Sequence, residues 1–514
     1  MQNASHRPLL LEQAACWCFD KLKKYKVPAI AGMIFGFLAY MFAFTNKLVN
    51  HDDVFTLFFK GGSFSLGRWG LEILELIFPN YSMPWIYGII TIALITLAAC
   101  VIISIFSIEN KLMQVLVTGS ILVFPSLIGT FTYMFTSSSY AVSFLLAVLA
   151  VWFLIRLDKR SLPVALVCMI GSLSIYQSYV AVTASLLVLT LIQRLMKEED
   201  ILPIIRNGIC YVLFLIISLG LYYAMTMVIN KLRGVGFNGY ANGSLSFSFA
   251  ELPARILLAY RNFPRFFTGY RGLMPGIFSQ LLHTLCLLLT GGMVFAWGIS
   301  RKKLQFARLL WLLGLIALLP LAMNCMYLFT TEDAVHTLVL YGVSMIYVLA
   351  VVVADLCINL VPCSKASSLC VNAMGFVLAL IVAANTYLAN EAYLLLHLRY
   401  ENAYAFYTSL IADIKMTPGF DEDTRLALIG SYQEPSFYLE KFPFSDHVTG
   451  TDGFLPDIYS KDRFLEYYLG FPIPFVPEEE LSVIQNSAEV EQMPVYPYYG
   501  SMQLIDDVMV VKLS

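Results

Sequence analysis

Stretches of about twenty apolar residues, separated by short polar breaks, dominate the chain up to residue 390. Windows long enough for the roughly 30 Å hydrocarbon core of a bilayer fall near 27–48, 84–106, 112–135, 138–155, 162–176, 178–195, 208–230, 277–299, 306–329, 337–359 and 368–390. They predict about eleven helical spans. The fifth and sixth are short and read as a tight hairpin turning at Tyr176-Gln177-Ser178-Tyr179.

Two breaks are longer, at about 49–83 and 231–276. The first opens with Asn50-His51-Asp52-Asp53, directly after an uninterrupted apolar stretch from Val27 to Leu48. An ionised carboxylate within a spanning helix costs roughly 2.5–3.5 kcal/mol even on lenient scales, so two at the rim call for an explanation. The stretch after Asp53 is amphipathic rather than polar, with Gly61-Gly62 between two pieces too short to span and Glu72 and Glu75 three apart on the second. This pattern predicts two interfacial helices holding Asp52 and Asp53 at headgroup depth.

The periodicity changes after residue 390. A helix is expected to leave the membrane and run to about Lys415, broken by Thr417-Pro418-Gly419. Arg425-Leu426-Ala427-Leu428-Ile429-Gly430 reads as a strand entering a turn and Val508–Leu513 as a terminal strand, with a helix starting after Pro477. The expected organisation is therefore an N-terminal arm (1–26), a transmembrane domain (27–390) and a small α/β domain (391–514).

Composition agrees with that division. The 514 residues are 59% hydrophobic and 13% charged, with a mean hydropathy of +0.72, which fits a polytopic membrane protein. About twenty of the 35 acidic residues lie from Glu391 onward, so the tail is acidic and soluble in character. Ten cysteines, none in the tail, argue against a disulfide framework, and the lone Cys16/Cys18 pair is weak as a metal motif. The first span is too long for a cleaved signal peptide and is expected to anchor.

Positive charge orients the set. Arg7, Lys21, Lys23, Lys24 and Lys26 share one side with Arg156/Lys159/Arg160, Arg194/Lys197 and Arg301/Lys302/Lys303/Arg308. The positive-inside rule makes that side cytoplasmic and puts both long loops and the tail outside. The loop at 231–276 departs from the rule, for it holds Arg261, Arg265 and Arg271 among interleaved aromatics. These arginines could clamp a phosphate with their planar donor forks, or could snorkel to lipid headgroups in a loop that translocates regardless of charge.

Other candidates carry a functional and a bland reading alike. Arg68 could bind a phosphate or pair with Glu72. Tyr176 and Gln177 could touch a sugar or merely form a polar hairpin tip. Glu332, Asp333 and His336 could be a second acidic patch, though a plain solvated loop is the better reading, and His283 fits a packing histidine. The Asp pair could cap the helix it begins. No Walker motif, dinucleotide fingerprint, zinc spacing or nucleophile elbow is present.

An Asp pair just past the first span, interfacial helices in the first outer loop, about eleven spans and an outer C-terminal domain resemble the GT-C membrane glycosyltransferases. More locally, Asn50-His51-Asp52-Asp53, Gly67-Arg68-Trp69, Ile175-Tyr176-Gln177-Ser178-Tyr179, Pro494-Val495-Tyr496-Pro497 and Val510-Val511-Lys512-Leu513 resemble the Gtr-type glucosyltransferases that decorate bacterial surface polysaccharides. The resemblance implies an inverting transfer of a sugar, glucose by expectation, from a polyprenyl-phosphate donor to a surface polysaccharide or glycolipid at the bacterial cytoplasmic membrane. Asp52 or Asp53 would be the general base; either, with His51, could hold a divalent cation such as Mg or Mn. The candidate substrate contacts are His51, Arg68, Trp69, Tyr176, Gln177, Arg261, Arg265 and Arg271.

Three competing functions are weighed. A transporter or flippase of lipid-linked sugars would show paired repeats and ionisable groups near mid-membrane, whereas here the spans are nearly free of charge. A polysaccharide polymerase or ligase would rely on basic residues more than on an Asp pair. A non-enzymatic scaffold is the remaining reading.

Overall fold

The computed structural model describes residues 23–514 except 47, 59–61, 237–249, 269–275, 301–305, 333, 361–364, 422, 443–447 and 452–459. Arg271, Asp333, Cys16, Cys18 and the turn at 238–243 lie outside the described residues.

Among the described residues, nine helices are long and apolar enough to cross a membrane. A tenth arises if Lys111–Leu122 and Pro125–Thr132 count as one span, bent by 43°. The bend has a local cause: Pro125 at the start of the second piece cannot continue the hydrogen-bond ladder of the first. The remaining expected window is the 15-residue helix Ser161–Ile175, roughly 22 Å long at 1.5 Å per residue. Each of the eleven apolar windows is thus helical: nine are long enough to cross, a tenth is bent and the remaining one is short, against about eleven spans expected.

Burial divides the helices. Thr337–Ile358 is buried along its whole apolar window, whereas Ile201–Arg233 is only 22% buried. The buried stripe of Ile201–Arg233 runs Asn207, Tyr211, Phe214, Ser218, Tyr222, Thr226 and Asn230, while Leu202, Ile209, Val212 and Ile216 are exposed. Its polar side faces the protein and its apolar side faces outward, the arrangement a bilayer rewards. Close packing is helped by small residues: an added Cβ at Gly36 would come within 2.7 Å of Ile92 on the helix Pro84–Phe106.

The loop between the first two long helices contains three short helices, His51–Thr56, the 3-10 turn Ser63–Leu66, and Trp69–Leu74. It is pinned from several sides. Trp69 Nε1 donates to Thr226 Oγ1 at 3.2 Å. Gln177 Nε2 donates to the Leu66 carbonyl at 3.0 Å and to the Tyr222 hydroxyl at 2.9 Å. The Tyr222 hydroxyl in turn donates to the Gly67 carbonyl at 3.0 Å.

One 52-residue helix, Lys365–Met416, leaves the bundle and continues into the C-terminal region. The boundary expected at 390–391 falls within it. Beyond it, β1 (Arg425–Ile429), β2 (Met502–Ile505) and β3 (Val508–Lys512) form a sheet of order β1-β3-β2. β1 runs parallel to β3 and β2 antiparallel. The helix Glu478–Gln485 begins after Pro477 with three glutamates in its first turn, as its sequence predicts. Tyr407, Leu410 and Ile414 of the long helix share an apolar core with Leu426, Phe464 and Met509 of this domain and with Val49 and Val54 of the first loop. Arg463 also donates to the Phe55 carbonyl and lies over its ring. The C-terminal domain is thereby packed on the loop that carries the Asp pair.

Candidate active site

The Asp pair is divided by helix phase. Asn50 caps the helix His51–Thr56: its side chain accepts from Asp53 N at 3.0 Å, and its backbone N–H donates to Asp53 Oδ2 at 3.3 Å. This reciprocal capping box consumes one Asp53 oxygen. The other accepts from the Ser82 hydroxyl. Asp53 is 5% exposed. Asp52, one residue earlier and about 100° away around the helix, is 37% exposed and has His51 Nε2 at 3.8 Å.

Asp52 lines a cavity of about 450 Å³ whose wall includes Asn80, Arg68, Tyr133, Thr136, Tyr140, Tyr176 and His336. Arg68 is held by aromatic groups. It donates to the Tyr140 hydroxyl at 3.1 Å and lies 5.1 Å from the centre of the Tyr176 ring. Tyr140 and Tyr176 stack at 4.2 Å. Glu72, the alternative partner for Arg68, accepts from the Ser63 N–H at 2.8 Å. A second, smaller and mainly apolar cavity of about 140 Å³ shares Arg68, Leu66 and Val339 with the first, and Gln177 and Tyr222 line it.

Of the sequence candidates, Asp52, Arg68 and Tyr176 meet in one cavity, with His51 beside Asp52. Trp69 and Gln177 anchor the loop. Arg261 forms an ion pair with Glu332 at 2.7 Å, where Asn262 also donates, and Arg265 sits in the last turn of Leu252–Phe267. Neither arginine lines the cavity beside Asp52. Asp53 takes the role of helix cap. His283 packs as expected: its Nε2 meets the Tyr347 hydroxyl at 2.8 Å and its Nδ1 the Ser279 carbonyl at 2.6 Å.

Asn80, Tyr133, Thr136 and Tyr140 escape sequence reasoning, and His336 reads there better as plain loop. One signal was present. The run Thr136-Ser137-Ser138-Ser139-Tyr140 is polar yet opens a spanning helix, and every residue in it is buried. No group of three His, Cys, Asp or Glu side chains comes together among the described residues. Each Asp53 oxygen accepts one hydrogen bond, from the Asn50 N–H and from the Ser82 hydroxyl.

A bundle of apolar helices with a polar, charged cavity walled by the loop after the first long helix fits a membrane protein. A family model described as glucosyl transferase GtrII matches residues 41–354. The chain belongs to that glucosyltransferase family, and the matched segment contains every cavity residue named so far. No curated protein matches the chain.

Proposed function

We propose that the chain transfers a glucosyl unit from a polyprenyl-phosphate donor to a hydroxyl of a cell-surface polysaccharide or glycolipid. The reaction takes place on the outer face of the bacterial cytoplasmic membrane and inverts the anomeric centre. Asp52 is the general base. Its carboxylate takes the proton of the acceptor hydroxyl as that oxygen attacks the anomeric carbon. The bond from that carbon to the phosphate oxygen breaks, and polyprenyl phosphate departs with the electron pair. Arg68 supports the negative charge growing on the leaving phosphate.

The supporting observation is the joint position of Asp52 and Arg68 in the wall of one cavity, whose size suits a small-molecule site. Orientation follows from the positive-inside argument, and the donor class and the inversion from the resemblance. Asp53 serves as a cap that fixes the helix carrying the base. The transfer as written uses only Asp52 and Arg68, and Asp53 accepts from Asn50 and Ser82.

Purified protein supplied with polyprenyl-phosphate-glucose and a glycan acceptor tests the proposal. Release of polyprenyl phosphate with a β- or α-linked product of inverted configuration is expected. Absence of transfer by the wild-type chain would remove the donor assignment, and full turnover by Asp52→Asn would remove the base.

A further inference from the structure

A short segment of the C-terminal domain, 448–451, reaches into the transmembrane bundle. Val448 is fully buried in the apolar core of that bundle, not in the core of its own domain. The Thr449 carbonyl accepts from Thr132 Oγ1 at 2.8 Å. The backbone carbonyl of the same Thr132 accepts from Asn50 Nδ2 at 2.7 Å, and Asn50 caps the helix bearing Asp52. On its other side the Thr449 hydroxyl accepts from Leu338 N–H at 3.3 Å and stands 3.3 Å from His336 Nδ1. Tyr133, His336 and Leu338 all line the cavity. Thr449 therefore joins two walls of the site, although it belongs to neither wall and lies outside the family-matched segment.

A hydroxyl carries one proton. The Thr449 oxygen accepts from Leu338 N–H, and its one proton bonds His336 Nδ1 when the neutral imidazole carries its own proton on Nε2. We infer that Thr449 is a positioning residue for the transfer reaction: its hydroxyl fixes the rotamer and tautomer of His336, so that Nε2–H is held as a donor for bound substrate. The C-terminal domain is then part of the catalytic architecture through this loop. The inference rests on the glycosyltransferase reading and adds to it a residue from a different domain.

The test compares Thr449→Val, Thr449→Ser, His336→Ala and the double variant Thr449→Val/His336→Ala in the full-length purified protein with polyprenyl-phosphate-glucose. Valine keeps the shape and removes the hydroxyl. It is expected to lower kcat roughly five- to tenfold, the value of one ordinary hydrogen bond, with KM moving much less. Serine restores most of the turnover. The double variant is expected to be no slower than His336→Ala alone, because the hydroxyl acts through that imidazole. Wild-type turnover by Thr449→Val, or additive losses in the double variant, would overturn the inference while leaving the glycosyltransferase reading intact. An inactive wild-type protein would instead defeat that reading. Thermal melting of each variant identifies a loss caused by unfolding, and the serine variant and the double-variant comparison still decide the matter if the valine protein is less stable.

Discussion

Asp52 and Asp53 are sequence neighbours with opposite fates: one carboxylate lines the cavity, and the other is held by the Asn50 N–H and the Ser82 hydroxyl. An asparagine at each position separates chemistry from scaffolding. Asp52→Asn should reduce kcat by about 10²–10⁴, the usual worth of a positioned general base, with little change in melting temperature. Asp53→Asn should cost about 0.5–2 kcal/mol of stability, as loss of a helix cap does, and should retain measurable turnover. Activity and melting measured on both proteins check the pair.

Arg68 donates to the Tyr140 hydroxyl and lies over the Tyr176 ring. Planarity matters at such a position, so lysine is a poor replacement. Arg68→Lys and Arg68→Gln should both lower kcat/KM for the lipid donor by roughly tenfold or more, the scale of a lost charge-assisted hydrogen bond. Steady-state kinetics at varied donor concentration gives the answer, and unchanged kcat/KM in both would remove Arg68 from the site.

Gly450 has φ +87°, and a Cβ there would collide with the Thr132 hydroxyl, 2.7 Å from the Thr132 Cβ and 3.0 Å from the Tyr133 ring. Gly470 has φ +63° with nothing within 4 Å of an added Cβ. Gly470→Ala should cost only the left-handed backbone penalty, about 1–2 kcal/mol. Gly450→Ala should cost that plus about 1–3 kcal/mol of overpacking against the cavity wall, and should lower turnover as well. Paired melting curves and assays distinguish the two.

Tyr496, in the C-terminal domain, donates to Asp413 Oδ2 at 2.8 Å. Burial first, and then the Asp413 hydrogen bond and charge, push its phenol up to about 12. The folded state thus favours the neutral form. The resulting contribution to stability is complete below the ordinary phenol pKa near 10 and is lost as pH rises through about 12. Tyr496→Phe should flatten the fall in stability of the C-terminal domain over that window. Tyrosinate absorbance followed together with near-ultraviolet circular dichroism would detect it.

Much of the architecture was legible because a bilayer and a sheet each impose a period. The apolar windows became helices, and Arg425–Ile429 and Val508–Lys512 became β1 and β3. β2 was not legible: it is four residues long, half-exposed, and enters β3 through Asp506 and Asp507, both at positive φ without a glycine to advertise the turn. Within the site, Asp52 and Arg68 stood out as charges in apolar surroundings. Tyr140, Tyr133 and His336 did not, since an aromatic at a helix end fits an interface belt equally well, and only tertiary packing brings their distant segments to one cavity. The division of labour within the Asp pair was likewise hidden, because it depends on Asn50 and Ser82 selecting one of two adjacent carboxylates.

The unbroken Lys365–Met416 helix couples the orientation of the C-terminal domain to angular phase. Inserting a single alanine near position 397 would rotate everything downstream by about 100° and shift it by about 1.5 Å, tearing the 448–451 loop from its socket. Seven added residues, close to two full turns, would restore the angle but withdraw the loop by about 10 Å. The strut therefore fixes both azimuth and height, and the cavity beside Asp52 inherits its tolerance from the length of one helix.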